Sequence, residues 1–109
     1  MTRQDHSLAV VHVSDDPRDI DRALSTAATL AGALAGFKVR IVVNGAALQG
    51  LVGPEALRLP RGVNVDACAI GLESRDIDRS TLMPGIGVVP SAAVSLVQAQ
   101  LAGAAYLRL

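Results

Sequence analysis

Aromatic residues are almost absent from this chain of 109 residues, which has one Phe, one Tyr and no Trp. Half of the residues are nonetheless apolar, so the core is expected from Ala, Val, Leu and Ile. An excess charge of either sign is also lacking, because ten Lys and Arg balance ten Asp and Glu. With no basic excess and no rings placed to stack on bases, nucleic-acid binding is not expected. No apolar run is long enough to span a bilayer, so no membrane role is expected either. The opening, Met1 to Ser7, is polar and includes Asp5 and His6, unlike a secretory leader. The single cysteine, Cys68, cannot close an intramolecular disulfide, and a cytoplasmic location is expected by default.

Ligand signatures are scarce as well. His6, His12 and Cys68 do not have metal-site spacing, so no metal is expected. Gly85-Ile86-Gly87 is not a dinucleotide fingerprint, because no G-x-G-x-x-G pattern opens a helix after the first strand. No cofactor is called for.

What the chain does have is aliphatic surface. One domain over residues 1–109 can bury a workable core. So many aliphatics on so small a body must leave some outside, and a contiguous apolar patch marks an interface. A homo-oligomer is expected.

Strand and helix patterns alternate along the chain. Leu8–Val13 is a continuous, β-branched run that reads as a strand buried on both faces, as in a parallel sheet. A helix follows, with Ile20, Leu24, Ala27, Ala31 and Leu34 at helical spacing, Asp16 as cap, Pro17 in its first turn and Gly36 at its end. Lys38–Val43 is a second strand, stopped by Asn44-Gly45. Ala46–Val52 reads as a weak short helix, and Glu55–Leu59 as a turn. Gly62 to Ala69 gives a third strand, Val63-Asn64-Val65-Asp66-Ala67-Cys68, with Ser74–Leu82 a short polar helix and Gly85–Val89 a fourth strand. Pro90-Ser91 opens a helix with Val94, Val97 and Leu101 on one face, and Ala104–Leu109 is a fifth strand. The expected fold is a three-layer α/β/α sandwich on a mainly parallel, five-stranded sheet.

Open parallel sheets bind ligands beyond the carboxyl ends of their strands. Asp15, Asp16, Asn44, Gly45 and Cys68 all fall there. Cys68 ends a strand just before a loop that leads to a helix, and a nearby helix N-terminus favours the nucleophilic thiolate. Asp66, two residues back on the same face and about 6.6 Å away, opposes ionisation. Burial as a small hydrophobe is the commoner fate of a lone cysteine.

Asp15 and Asp16 resemble the acidic pair of phosphorelay receiver domains. That reading fails, because the third strand ends in Cys68 and no basic residue follows the fifth. Capping accounts for Asp16, and Asp15 is expected to be solvated. His12, inside the first strand, is expected to be satisfied by one or two hydrogen bonds, with a proton relay as the alternative. Asn44-Gly45 is a turn in which Gly45 tolerates positive φ, and its backbone amides could receive an anion. Ser91 reads as a helix cap, since nothing supplies it with a placed base.

The stretch Leu82-Met83-Pro84-Gly85-Ile86-Gly87-Val88-Val89-Pro90-Ser91, its amphipathic helix and the Gly103-Ala104-Ala105-Tyr106 strand resemble the DsrE/DsrF-like family. Gly62-Val63 followed by Ala67-Cys68 matches a family cysteine at the end of the third strand. Weaker matches are the His12-Val13 strand ending and Val42-Val43-Asn44-Gly45. The resemblance implies a parallel five-stranded sheet between helices, flavodoxin-like in appearance, assembled as trimers or hexamers. It also implies sulfur relay with donor and acceptor proteins, in which Cys68 carries sulfur as a persulfide, a transferase role if the protein is an enzyme. Asn44, Gly45, His12 and Asp15 are the accompanying ligand-binding candidates. One departure is the apolar stretch Ala69-Ile70-Gly71-Leu72 after the cysteine, which offers few side-chain donors and suits a subunit interface. The alternative is a non-catalytic oligomeric module that binds a small ligand or partner protein at the strand ends.

Overall fold

The computed structural model describes residues 6–109. The reading of the opening stretch rests mostly on residues 1–5, which lie outside the described residues. Five strands form one sheet: β1 (Leu8–Val13), β2 (Lys38–Val43), β3 (Val63–Cys68), β4 (Gly87–Val89) and β5 (Ala105–Arg108). Their order is β4-β3-β2-β1-β5, and every pairing is parallel. The chain therefore steps outward from β1 to β4, then crosses back to lay β5 against β1. The switch point, where a parallel sheet opens a crevice, falls between β1 and β5.

Period-two alternation sorts the side chains between two layers. Ala9, Val11, Val13, Val39, Ile41, Val43, Val63, Val65 and Ala67 are buried in one core cluster with Ile20, Ala23 and Ala27 of helix α1 (Asp19–Ala33). Val10, Val42 and Cys68 are buried on the other face, against Ala92, Leu96 and Ala99 of helix α3 (Ala92–Leu101). The expected three-layer α/β/α architecture is the one observed. Among the described residues, no helix is long and apolar enough to cross a membrane.

Several local expectations change. Helix α1 opens at Asp19, and Asp16 caps the turn before it by accepting the Arg18 N–H at 2.8 Å. The segment after β2 winds as a 3₁₀ helix over Gly45–Leu51, and Glu55–Leu59 forms no helical turn. The polar helix over Ser74–Leu82 is not there. Instead helix α2 (Ala69–Ser74) follows Cys68 directly. The left-handed backbone of Asp76, φ 54°, ends that direction of chain, and Asp78 then caps a short 3₁₀ turn at Arg79–Thr81. The apolar stretch Ala69-Ile70-Gly71-Leu72 is thus helix rather than loop, with Leu72 buried and Ile70 exposed.

On α3, Ser91 caps as expected, its Oγ accepting the Val94 N–H at 3.3 Å. The face bearing Val94, Val97 and Leu101 points outward, and the sheet is met by Ala92, Leu96 and Ala99.

Candidate functional site

Strand order places the candidate residues on the α3 face, at the carboxyl ends of β1, β2 and β3. Cys68 is the last residue of β3 and the residue before α2. It is 6% exposed, and its Sγ accepts the backbone N–H of Ala92 at 3.3 Å. Ala92 is the first residue of α3, where the orphan amides of a helix N-terminus and its dipole favour negative charge. A groove of about 300 Å³ lies alongside, lined by Val89, Pro90, Ser91, Val94, Ser95 and Gln98. Val89 is the β4 partner of Cys68 in register. A larger basin of about 510 Å³ sits at the other end of β2 and β3, around Phe37, Lys38 and Arg61, and holds none of the candidates.

Asp66 does not face Cys68 as a bare charge. Its Oδ2 accepts from Arg40 Nε at 2.9 Å, and both side chains are mostly buried, 20% and 25% exposed. Arg40 also donates through Nη2 to Ser95 Oγ on α3. Gly87 of β4 stands in register with Asp66, and a Cβ there would collide with the Asp66 carboxylate. That close approach is the physical reason for glycine within the Gly85-Ile86-Gly87 stretch.

His12 lies on the same face, and both ring nitrogens are engaged. Nδ1 is 2.8 Å from Tyr106 Oη and Nε2 is 2.9 Å from Asn44 Oδ1. Asn44 Oδ1 can only accept, so Nε2 donates to it, and Nδ1 pairs with the Tyr106 hydroxyl. His12 and Cys68 are not neighbours, because β2 runs between β1 and β3. Asn44, just past the end of β2, is the residue that stands between them. Gly45 adopts φ +57°, and a Cβ there would press on Ser14 O at 2.7 Å, so the turn at the end of β2 requires glycine.

Asp15 is exposed but not simply solvated. Arg108, the last residue of β5, donates to its Oδ1 at 2.8 Å. This ion pair spans the β1/β5 switch point, so a basic residue does stand there, within the fifth strand rather than after it. Arg108 holds the Asp15 carboxyl below the usual range, with help from the Ser14 hydroxyl. The Asp16 carboxyl is lowered to about 2 by the Arg18 guanidinium and backbone N–H.

The structure therefore gathers His12, Asn44 and Cys68 along one edge of the α3 face, and sets Asp15 at the switch point beside them. It adds Arg40, Ser95, Tyr106 and Arg108, none of which sequence reasoning singled out for the site. A signal for one pair was present: Arg40 and Asp66 are opposite charges in the interiors of two strands whose other interior residues are mostly buried, the mark of a cross-strand pair.

No family model matches the chain, and no curated protein does. Among solved structures it is similar to MTH1491 from Methanobacterium thermoautotrophicum, a protein of unknown function, with a TM-score of 0.79 and 23% identity over 94% of this chain and 98% of that one. It is also similar to the ychN protein from E. coli, with a TM-score of 0.70 and 17% identity over 94% and 99% of the two chains. At these identities the likeness establishes the fold: both whole chains share this five-stranded α/β architecture.

Proposed function

We propose that the chain is a DsrE/DsrF-like, cytoplasmic, homo-oligomeric protein that carries sulfur on Cys68. The observation that carries this reading is the Ala92 N–H aimed at Cys68 Sγ at the start of α3. An amide at a helix N-terminus stabilises a sulfur anion. In the step proposed, the Cys68 thiolate attacks the outer sulfur of a donor persulfide. The donor's S–S bond breaks, the donor leaves as a thiolate, and Cys68 holds the sulfur as its own persulfide. Transfer to an acceptor thiolate reverses the roles, with no net oxidation. Exposure to a persulfide donor, read by intact mass with a Cys68→Ser control, tests this.

Assembly is supported by the outward face of α3. Val94, Val97 and Leu101 are 54%, 55% and 80% exposed and follow one another at helical spacing. A single helix about 10 Å wide also covers only about two strands of a sheet roughly 24 Å across, whereas parallel sheets are ordinarily covered on both faces.

The second reading is a non-catalytic module that binds a small ligand or partner protein at the strand ends. What favours it is the burial of Cys68 beside the more open Tyr106–His12–Asn44 network. In that case Cys68→Ala leaves ligand binding and assembly unchanged.

A further inference from the structure

We infer that Arg40 is a positioning residue for Cys68, an inference that rests on Cys68 being the working thiol. Arg40 occupies the middle of β2, between the buried Val39 and Ile41, and its side chain lies on the same sheet face as Cys68. It makes two contacts at once. One is the ion pair to Asp66 of β3, and the other is the hydrogen bond to Ser95 of α3. Ser95 sits one turn into the helix, its N–H donating to Ser91 O at 3.0 Å. Ser91 in turn caps that first turn, beside Ala92. The contacts close a ring: Asp66, Arg40, Ser95, the first turn of α3, Ala92, and back to Cys68, two residues from Asp66.

The ring matters because little else fixes α3 along the sheet. Its buried residues are Ala92, Leu96 and Ala99, and two of these three are alanines, which offer little interlocking against a slide. Among the described residues, the Arg40–Ser95 and Ala92–Cys68 hydrogen bonds are the polar contacts that join α3 to the sheet. Arg40 thus sets where the Ala92 N–H falls.

Arg40 also decides the charge that Cys68 meets. Asp66 lies about 6.6 Å back along the strand on the same face. The elements packed against the thiol, α3 and β4, contain no charged side chain. On α2 the one charged residue is the exposed Glu73, and His12 of β1 is reached only through Asn44. Lys38 shares this face at the far end of β2, and Arg108 shares it on β5, paired with Asp15 beyond β1. On β2 and β3, the two strands nearest the thiol, Arg40 and Asp66 are the charges closest to it, and the first cancels the second. Both effects of Arg40 act in the same direction: the clamp presents a donor to the sulfur, and the charge relieves a repulsion.

The test is alkylation of Cys68 by a small reagent in the full chain, at about pH 7 and about pH 10, for wild type and Arg40→Met. The expected result is a rate about tenfold lower in Arg40→Met near neutral pH, as befits an uncompensated charge at this distance. Near pH 10, above the ordinary thiol value of about 8.5, the two rates should converge to within about twofold. Adding Asp66→Asn to Arg40→Met should restore part of the loss, and Arg40→Lys should retain most of the wild-type rate. Ser95→Ala, which keeps the ion pair, should show a smaller drop of roughly twofold to threefold near neutral pH, and it serves if Arg40→Met does not fold. Equal rates at both pH values overturn the inference. So does faster alkylation at both, which marks Arg40 as a mere lid-holder over a packed thiol. Persulfide loading of the wild type, run in parallel, separates the two readings. Loading without an Arg40 effect removes the positioning role alone. An Arg40 effect without loading removes the sulfur-carrier reading and leaves the positioning of the thiol intact.

Discussion

Cys68 and Ala92 are joined across two elements: the sulfur at the end of β3 accepts the first backbone N–H of α3 at 3.3 Å. Serine at position 68 keeps an acceptor for that amide but places a hydroxyl among Val10, Val42, Leu96 and Ala99. Cys68→Ser is expected to fold and to lose about 1 kcal/mol. That corresponds to a fall in Tm of about 4–8 °C for a domain of this size, measured by thermal denaturation. A loss several times larger would mark the thiol as a structural keystone.

A second prediction concerns Gly87, whose backbone passes against the Asp66 carboxylate. The added methyl of Gly87→Ala must displace that carboxylate from Arg40, at an expected cost of about 1–3 kcal/mol. Combined with Asp66→Ala, which already breaks the pair, the double variant should lose less than the sum of the two single losses, because the sites share one contact. Denaturant titration of the single and double variants measures this, and strict additivity would separate Gly87 from the ion pair.

Acid should act through Asp15 and Asp16. Both carboxyls are lowered in the folded protein, Asp15 chiefly by Arg108 and Asp16, to about 2, chiefly by Arg18. A lowered folded value means that the stability they contribute is present above the ordinary carboxylate value near 4. It is lost as pH falls through the folded values, from about pH 4 toward about pH 2. Asp15 is exposed and Asp16 only half-buried, so the effect is small and should shrink with added salt. Thermal melts across this window should show Tm falling with pH, and Asp16→Asn should flatten part of the slope.

The outward stripe of α3 predicts assembly. Replacing Val97 and Leu101 together by Glu leaves the monomer's own core untouched, since both side chains are exposed, and should change monomer stability by no more than about 0.5 kcal/mol per site. Sedimentation should show an oligomer for the wild type and a monomer for the variant. A monomeric wild type at micromolar concentration contradicts the expectation.

Much of this fold can be read from residue order, for identifiable reasons. β1 and β2 are largely aliphatic runs interrupted by His12 and Arg40, and β3 alternates Val63, Val65 and Ala67 with polar residues. The observed bounds Leu8–Val13 and Lys38–Val43 match the reading, and Val63–Cys68 falls one residue inside it at each end. Helix α2 is harder to read. It is six residues long, contains Gly71 and opens on four nonpolar residues, while the polar residues after it mimic a helix that Asp76 and Asp78 interrupt. Cys68, Asn44, Gly45 and Asp15 declare themselves by sitting at strand ends, and His12 by being a titratable residue inside a strand. Their partners do not, because those contacts depend on strand order. Arg40 meets Asp66 only because β2 lies beside β3, and Asp15 meets Arg108 only because the last strand returns to the first. The side of α3 that turns inward is equally hidden, since Val94, Val97 and Leu101 make as regular a stripe as Ala92, Leu96 and Ala99 and are larger.

The most direct measurement is the mass of the protein after incubation with a small persulfide. A gain of one sulfur atom is expected on the wild type, removed by a thiol reductant and absent from Cys68→Ser. No gain on a folded wild type, or an equal gain on Cys68→Ser, would contradict it.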